Sequence, residues 1–234
     1  YLNNRGSEEA TYRISIVNRR MLENGHIVTA DSAWSDECFA AEYIRFSPRR
    51  VVVPPQGNQA VRLTLRFPPG EALPDGEYRS HLMFRAVPNL PDPTTLDDDG
   101  EGIRVTAVAI IETTIPVIVR RGSPQATIAF GAPELAPNDP QVGKSLLTVP
   151  LLREGNRSVY GDLTVVYESP LGEDMEILQM RGMAVYCPTP RRLLRLPLDL
   201  PDSYRRSGGQ LRVCYRETAA GQGDQVAVLS VPLD

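Results

Sequence analysis

The side chains best suited to catalysis or metal binding are few in this chain: three cysteines and two histidines among 234 residues, alongside 29 acids. Cys38, Cys187 and Cys214 allow at most one disulfide and leave one thiol over. Cys187–Cys214 is the one pair within a single domain of the division given below, and an oxidising compartment would permit it. The spacing follows no known framework, so unbridged, buried thiols are the expectation. His26 and His81 cannot make a zinc site of ordinary composition unless cysteines join them, and His81, inside Tyr78-Arg-Ser-His-Leu82, reads as a structural strand residue. The run Asp97-Asp-Asp-Gly-Glu-Gly102 has consecutive acids where a calcium loop needs alternate ones, so it reads as a solvated loop. Asn156-Arg-Ser158 matches a glycosylation acceptor by spelling alone. No nucleophile elbow, phosphate-binding loop or dinucleotide fingerprint is present. Nothing singles out two of the carboxylates as a glycosidase pair. The expectation is a protein without enzymatic activity, cofactor or bound metal.

Composition narrows the class further. A net charge of −4 does not suit a nucleic-acid binder. No run reaches the roughly 18 apolar residues of a membrane-spanning helix. With 21 prolines and 18 glycines but no period or low complexity, the chain suits an all-β fold with many turns. Its length fits one large domain or two ordinary ones. The opening Tyr1-Leu-Asn-Asn4 reads as the middle of an element, so a preceding first strand and a signal sequence are expected.

The elements that must position any site are strands. Thr11 to Val17 alternates, with Tyr12, Ile14 and Ile16 on one face. An irregular stretch runs from Met21 to Ala41, followed by a strand from Tyr43 to Val53 and a turn at Pro54-Pro-Gln-Gly57. Ala60 to Phe67 places Val61, Leu63, Leu65 and Phe67 on one face, and Glu77 to Val87 does the same with Tyr78, Leu82 and Phe84. After a hinge at Arg120-Arg-Gly-Ser-Pro124, strands are expected at Thr127–Phe130, Leu146–Leu152, Asp162–Tyr167, Met175–Tyr186, Leu193–Leu198, Gln210–Arg216 and Gln225–Val231. Within these, Met175 to Met183 could instead form a helical turn or two, but Gly182 favours a strand. Short strands punctuated by Gly and Pro are the signature of β-sandwiches. Two domains in tandem are expected, 1–121 and 122–234.

One strand stands apart. From Ile103 to Val119, apolar residues recur at Ile103, Val105, Ala107, Ala109 and Ile111, while Arg104, Thr106, Glu112 and Thr114 are polar and Val108 and Ile110 break the pattern. This outruns a typical strand of about six residues. It follows a proline-rich, acidic loop, Pro88 to Gly102, that is expected to be mobile. A long apolar strand at a sheet edge invites pairing with another chain.

Three stretches carry a family resemblance. They are Phe46-Ser-Pro-Arg-Arg-Val-Val-Val-Pro-Pro-Gln-Gly-Asn-Gln-Ala-Val-Arg62, Leu73-Pro-Asp-Gly-Glu-Tyr-Arg-Ser-His-Leu-Met-Phe-Arg-Ala-Val-Pro88 and Ile115-Pro-Val-Ile-Val-Arg120. Together with the Leu-Asn-Asn start they cover most of the first domain and resemble the periplasmic pilus-assembly chaperones, the PapD-like family. The second domain is similar mainly in length, strand content and Ala184-Val-Tyr186. The resemblance implies two immunoglobulin-like sandwiches in a boomerang arrangement and a non-enzymatic role in the periplasm. In that role the long strand is lent to pilus subunits, which are delivered to an outer-membrane usher for fimbrium assembly at the cell wall. The donor residues would be Ile103, Val105, Ala107, Ala109 and Ile111.

The family also holds the subunit's terminal carboxylate with an Arg on its first strand and a Lys near the end of the long one. The first of these strands is expected to precede the given sequence, and Pro116 falls where the Lys would be, so either the anchor passes to another base such as Arg104 or Arg120, or this is a divergent branch that binds differently. Glu77 and Arg120 match an interdomain ion pair; a solvated pair of little energetic weight is the alternative. A self-capping dimer is a further state the resemblance allows. The competing functional reading is a cell-surface adhesin or carbohydrate-binding pair of sandwiches, with a hydrolase third. An adhesin should carry an aromatic ligand face, yet aromatics are 6% of the chain.

Overall fold

The computed structural model describes residues 1–68, 70, 73–88, 108–172, 174–201, 208–218 and 226–233, and all regular elements among them are strands. In chain order the first ten are β1 (Leu2–Asn3), β2 (Ala10–Val17), β3 (Arg19–Met21), β4 (Ile27–Thr29), β5 (Ile44–Ser47), β6 (Arg50–Val53), β7 (Asn58–Gln59), β8 (Arg62–Leu65), β9 (Gly76–Val87) and β10 (Glu112–Arg121). The rest are β11 (Ala126–Phe130), β12 (Glu134–Asp139), β13 (Lys144–Gly155), β14 (Val159–Glu168), β15 (Met175–Val185), β16 (Arg191–Leu198), β17 (Gly209–Glu217) and β18 (Val226–Leu233). The all-β expectation holds, and Met175 to Met183 is strand.

The chain divides into two units that interleave in sequence. The first comprises Tyr1–Asn18, Phe39–Ala72 and Arg79–Val119; the second comprises Arg19–Cys38, Leu73–Tyr78 and Arg120–Asp234.

In the first unit, β10, β9, β2 and β6 form a four-stranded sheet in that order. Antiparallel pairing sets Ile14 opposite Phe84 and Ile16 opposite Leu82. Alternation then does the rest: Ile14, Val51, Val53, Leu82 and Phe84 form the core, with Tyr12, Ile16, Val61 and Val117 packed on it. Two expectations change here. The strand expected from Tyr43 to Val53 divides at Pro48, which has no N–H to continue a ladder. Its halves part company, β5 pairing with β8 and β6 with β2. The strand expected from Ala60 to Phe67 is shorter, and Leu63, Leu65 and Phe67 on its apolar face are exposed.

The second unit is a two-sheet sandwich. One sheet runs β11–β13–β12, with β16 also paired to β13; the other runs β15–β14–β17–β18. Period-two sequence produces the shared core directly. Val159, Leu163, Val165 and Tyr167 on β14 face inward with Leu211, Val213 and Tyr215 on β17 and Leu194, Leu196 and Leu198 on β16. Each such side chain stabilises the unit by about 1.5–3 kcal/mol through burial. The sequence pattern missed β12, because Pro137, Asn138 and a register shift within the strand break its alternation.

Gly161 marks a very close backbone approach in this sandwich. It sits in β14 opposite Glu217, beside a bulge, and a Cβ there would lie 2.2 Å from the Arg216 carbonyl oxygen. That oxygen belongs to a paired strand and cannot swing away. We expect Gly161→Ala to lower stability by about 1–3 kcal/mol, the usual cost of overpacking, read as a shifted urea midpoint with unchanged slope.

Residues 19–38 supply the hairpin β3–β4, whose turn meets β16. Leu193 N–H donates to the Glu23 carbonyl at 2.7 Å, Arg191 pairs with Glu23 at 2.8 Å, and the Thr189 hydroxyl donates to the Met21 carbonyl at 2.6 Å. Arg191 holds the exposed Glu23 carboxyl below its ordinary range. Behind the hairpin, Arg20 is buried in a salt bridge with Glu37 and lies over the Trp34 ring at 3.9 Å.

Candidate functional site

The expected donor strand begins with residues whose structure is not described: Ile103, Arg104, Val105 and Ala107, like the acidic loop from residue 89 to 102, lie outside the described residues. From Val108 onward the path is defined. Val108 to Ile111 are not in a strand, so β10 starts at Glu112, later than the sequence pattern suggests. The Ile111 carbonyl already accepts from Ala86 N–H at 2.9 Å, so pairing with β9 begins one residue before the regular ladder.

Among the described residues β10 is an edge strand, with β9 as its one neighbour in the sheet. Its apolar side chains divide between core and surface. Val117 packs on the core, while Ile115 and Ile118 are 52% and 40% exposed, and Ile111 just ahead of the strand is 69% exposed. Ala109 is exposed, and so are Val108 and Ile110, the two residues that interrupted the alternation. Sequence periodicity undervalued them because Val108-Ala-Ile-Ile111 is apolar at both parities. Pro116 sits at an exposed position of the edge strand, the place in a sheet where a missing N–H costs least. Arg85 and Glu112 form an exposed pair at 3.5 Å, which contributes under about 1 kcal/mol.

Arg120 and Glu77 are brought together, and both belong to the second unit. Arg120 donates from Nη2 at 3.0 Å and from Nε at 3.2 Å to one Glu77 carboxylate oxygen. The Glu77 side chain is fully buried, and it also accepts from the Ser158 backbone N–H at 3.1 Å and from the Ser158 hydroxyl. Ser158 was invisible to sequence reasoning: its partner lies 81 residues away. Of the two candidate carboxylate anchors, Arg104 is outside the described residues and Arg120 is committed to Glu77. Nearby, Asn156 is fully engaged, its amide accepting from Gln125 N–H at 2.8 Å and donating to the Asp75 carbonyl at 3.0 Å.

A second buried pair also escaped the sequence. Arg157 meets Glu217 through two contacts, Nη1–Oε1 at 2.5 Å and Nη2–Oε2 at 3.1 Å, with 3% and 0% side-chain exposure. Beside it, Arg153 donates to the carbonyls of Gly155, Arg157, Pro188 and Thr189.

The second unit contains a cavity of about 640 Å³ lined in part by Cys38, Glu77, Asn156, Cys187 and Pro188. The three cysteines are thiols with no disulfide between them, and all are half-buried rather than buried. Burial, and then the neighbouring Glu37 and Asp36 carboxylates, push the Cys38 thiol up. Among the described residues no group of three or more His, Cys, Asp or Glu side chains converges to hold a metal. His81 lies in β9 and is buried. No helix among the described residues is long and apolar enough to cross a membrane.

No family model and no curated protein matches the chain. Among the solved structures that align with the chain are two chaperones. The Pseudomonas aeruginosa CupB2 chaperone aligns at 14% identity with a TM-score of 0.43, over 100% of this chain and 90% of that one. The Escherichia coli chaperone DraB aligns at 11% identity with a TM-score of 0.44, over 99% of this chain and 85% of that one.

Proposed function

We propose that this protein is a periplasmic chaperone of the immunoglobulin-like type that stabilises pilus subunits by strand lending. The observation that carries the reading is the run of exposed isoleucines at and before an edge strand: Ile110, Ile111, Ile115 and Ile118. Exposed apolar side chains on an unpaired edge are an aggregation hazard unless pairing is their purpose. Strand addition uses both features, the edge for main-chain hydrogen bonds and the alternate side chains for pockets. The motifs resembling pilus chaperones add a second, independent support.

In this reading Ile103, Val105, Ala107, Ala109 and Ile111 enter the groove of a subunit that lacks a strand of its own. Arg104 is the better carboxylate anchor, because Arg120 would have to leave Glu77 to serve. An outer-membrane usher receives the subunit, and a self-capping dimer covers the same residues at rest. Residues 1–121 and 122–234 are read as successive domains in chain order, and the Glu77–Arg120 pair lies within the second structural unit rather than between units. No catalytic step is required.

Ile111→Asp and Val105→Asp test the proposal when the chaperone is co-expressed with a subunit encoded beside it. A charge forced into an apolar groove costs about 2 kcal/mol or more, so capture should fall at least about 30-fold. Thermal melts of both variants should stay native-like, since a charge on a solvent-facing edge costs little. A collapsed melt would place these residues in the protein's own core, and undiminished capture would remove the donor strand from the mechanism.

A further inference from the structure

We propose that Cys38 and Cys187 are a redox-responsive pair, which a disulfide reagent converts to an intramolecular bridge tying residues 19–38 to the segment between β15 and β16. Three observations place the two cysteines at one site. Both line the same cavity of about 640 Å³, within a single unit. Cys38 is bridged to Tyr78 in parallel register, the residue next to Glu77. From the other side, the Cys187 N–H donates at 2.9 Å to the hydroxyl of Ser158, which donates to Glu77. Each cysteine backbone is therefore pinned, by a different route, to neighbouring residues at the start of β9.

The third cysteine is placed elsewhere. Cys214 lies in β17 between Val213 and Tyr215, both buried inward, so it faces away from the sandwich core and is not part of the cavity lining. The pairing considered from sequence, Cys187 with Cys214, is thus replaced by one that crosses most of the chain. The cavity has the volume of a small-molecule site.

The exchange balances without a metal or flavin. The thiolate of one cysteine attacks a sulfur of the small disulfide, forming a mixed disulfide and expelling one thiolate. The second cysteine's thiolate then attacks the protein-bound sulfur, forming the Cys38–Cys187 bond and expelling the other. Two protein thiols are oxidised, one reagent disulfide is reduced, and the two protons pass to solvent and the departing thiolates. Because its surroundings hold the Cys38 thiol up, the reaction is faster above neutral pH.

Oxidised glutathione at about pH 8.5 is the probe, applied to the whole chain and to Cys38→Ser, Cys187→Ser and Cys214→Ser. The parent, with three cysteines, should fall to one titratable thiol, and Cys214→Ser from two to none, each free of intermolecular disulfides and of glutathione. Digestion should yield one linked peptide pair containing Cys38 and Cys187. Because the bridge spans a long loop, the melting temperature should rise by on the order of 5 °C and fall back on reduction. Stable glutathione adducts on Cys38 and Cys187, a bridge through Cys214, a bridge between molecules or a lowered melt would each overturn the assignment.

Discussion

Arg157→Leu should destabilise the second unit by about 3–5 kcal/mol, enough to unfold much of the population at room temperature. The Glu217 carboxylate it would strand has no exposure to water, and its countercharge meets it through two parallel contacts. Removing only the guanidinium leaves a desolvated charge that nothing repays. The reciprocal Glu217→Leu should cost a similar amount, since Arg157 is 3% exposed. The informative measurement is the double variant. With both groups replaced by leucine the desolvation cost disappears, so most of the loss should be recovered. Urea titration of the four proteins separates the cases, and a double variant as weak as the sum of the singles would show that the pair matters through shape rather than charge.

Glu77→Ala comes next, at about 2–4 kcal/mol. One carboxylate satisfies the Ser158 N–H, the Ser158 hydroxyl and two Arg120 nitrogens, and its removal orphans the two buried donors on Ser158. Arg120 fares better because its side chain is 32% exposed and can turn to water. Arg120→Ala should cost about 2 kcal/mol, because Glu77 keeps both Ser158 donors but loses its countercharge. Once Glu77 is gone, Arg120 has nothing left to lose. The double variant should therefore be scarcely weaker than Glu77→Ala alone, a coupling of about 2 kcal/mol in a double-mutant cycle. Strictly additive losses would mean that the two residues act separately, despite their 3.0 Å contact.

Much of the fold was legible because a strand buried on one face writes its geometry into every second residue. Tyr12, Ile14 and Ile16, or Leu163, Val165 and Tyr167 on β14, need no partner to be recognised. Legibility failed where alternation and burial part company. Leu63, Leu65 and Phe67, on or just beyond β8, alternate like core residues and yet are exposed; among the described residues β8 pairs with β5 alone, in a two-stranded ladder. β12 is a strand without alternation, its pattern broken at Pro137 and Asn138. At the candidate site, the apolar character of residues 103–119 could be read, but not where the ladder with β9 would start. Glu77 and Arg120 were singled out by family resemblance. Ser158, Arg157 and Glu217 carry no local signal, since a polar residue's burial is decided by what folds over it from far along the chain.

The docking of residues 19–38 on β16 has a practical consequence for dissecting the molecule. A fragment expressed from residue 122 onward would contain every strand of the large sandwich yet lack the Glu23 carbonyl that receives Leu193 N–H, the Met21 carbonyl that receives Thr189, and Glu77 against Ser158. Such a fragment exposes a raw edge at β16 and buries an unanswered serine, so it should precipitate or recruit a stranger's strand. A soluble half-molecule calls for grafting, with the 19–38 hairpin and the 73–78 segment supplied as added peptides or spliced through designed linkers.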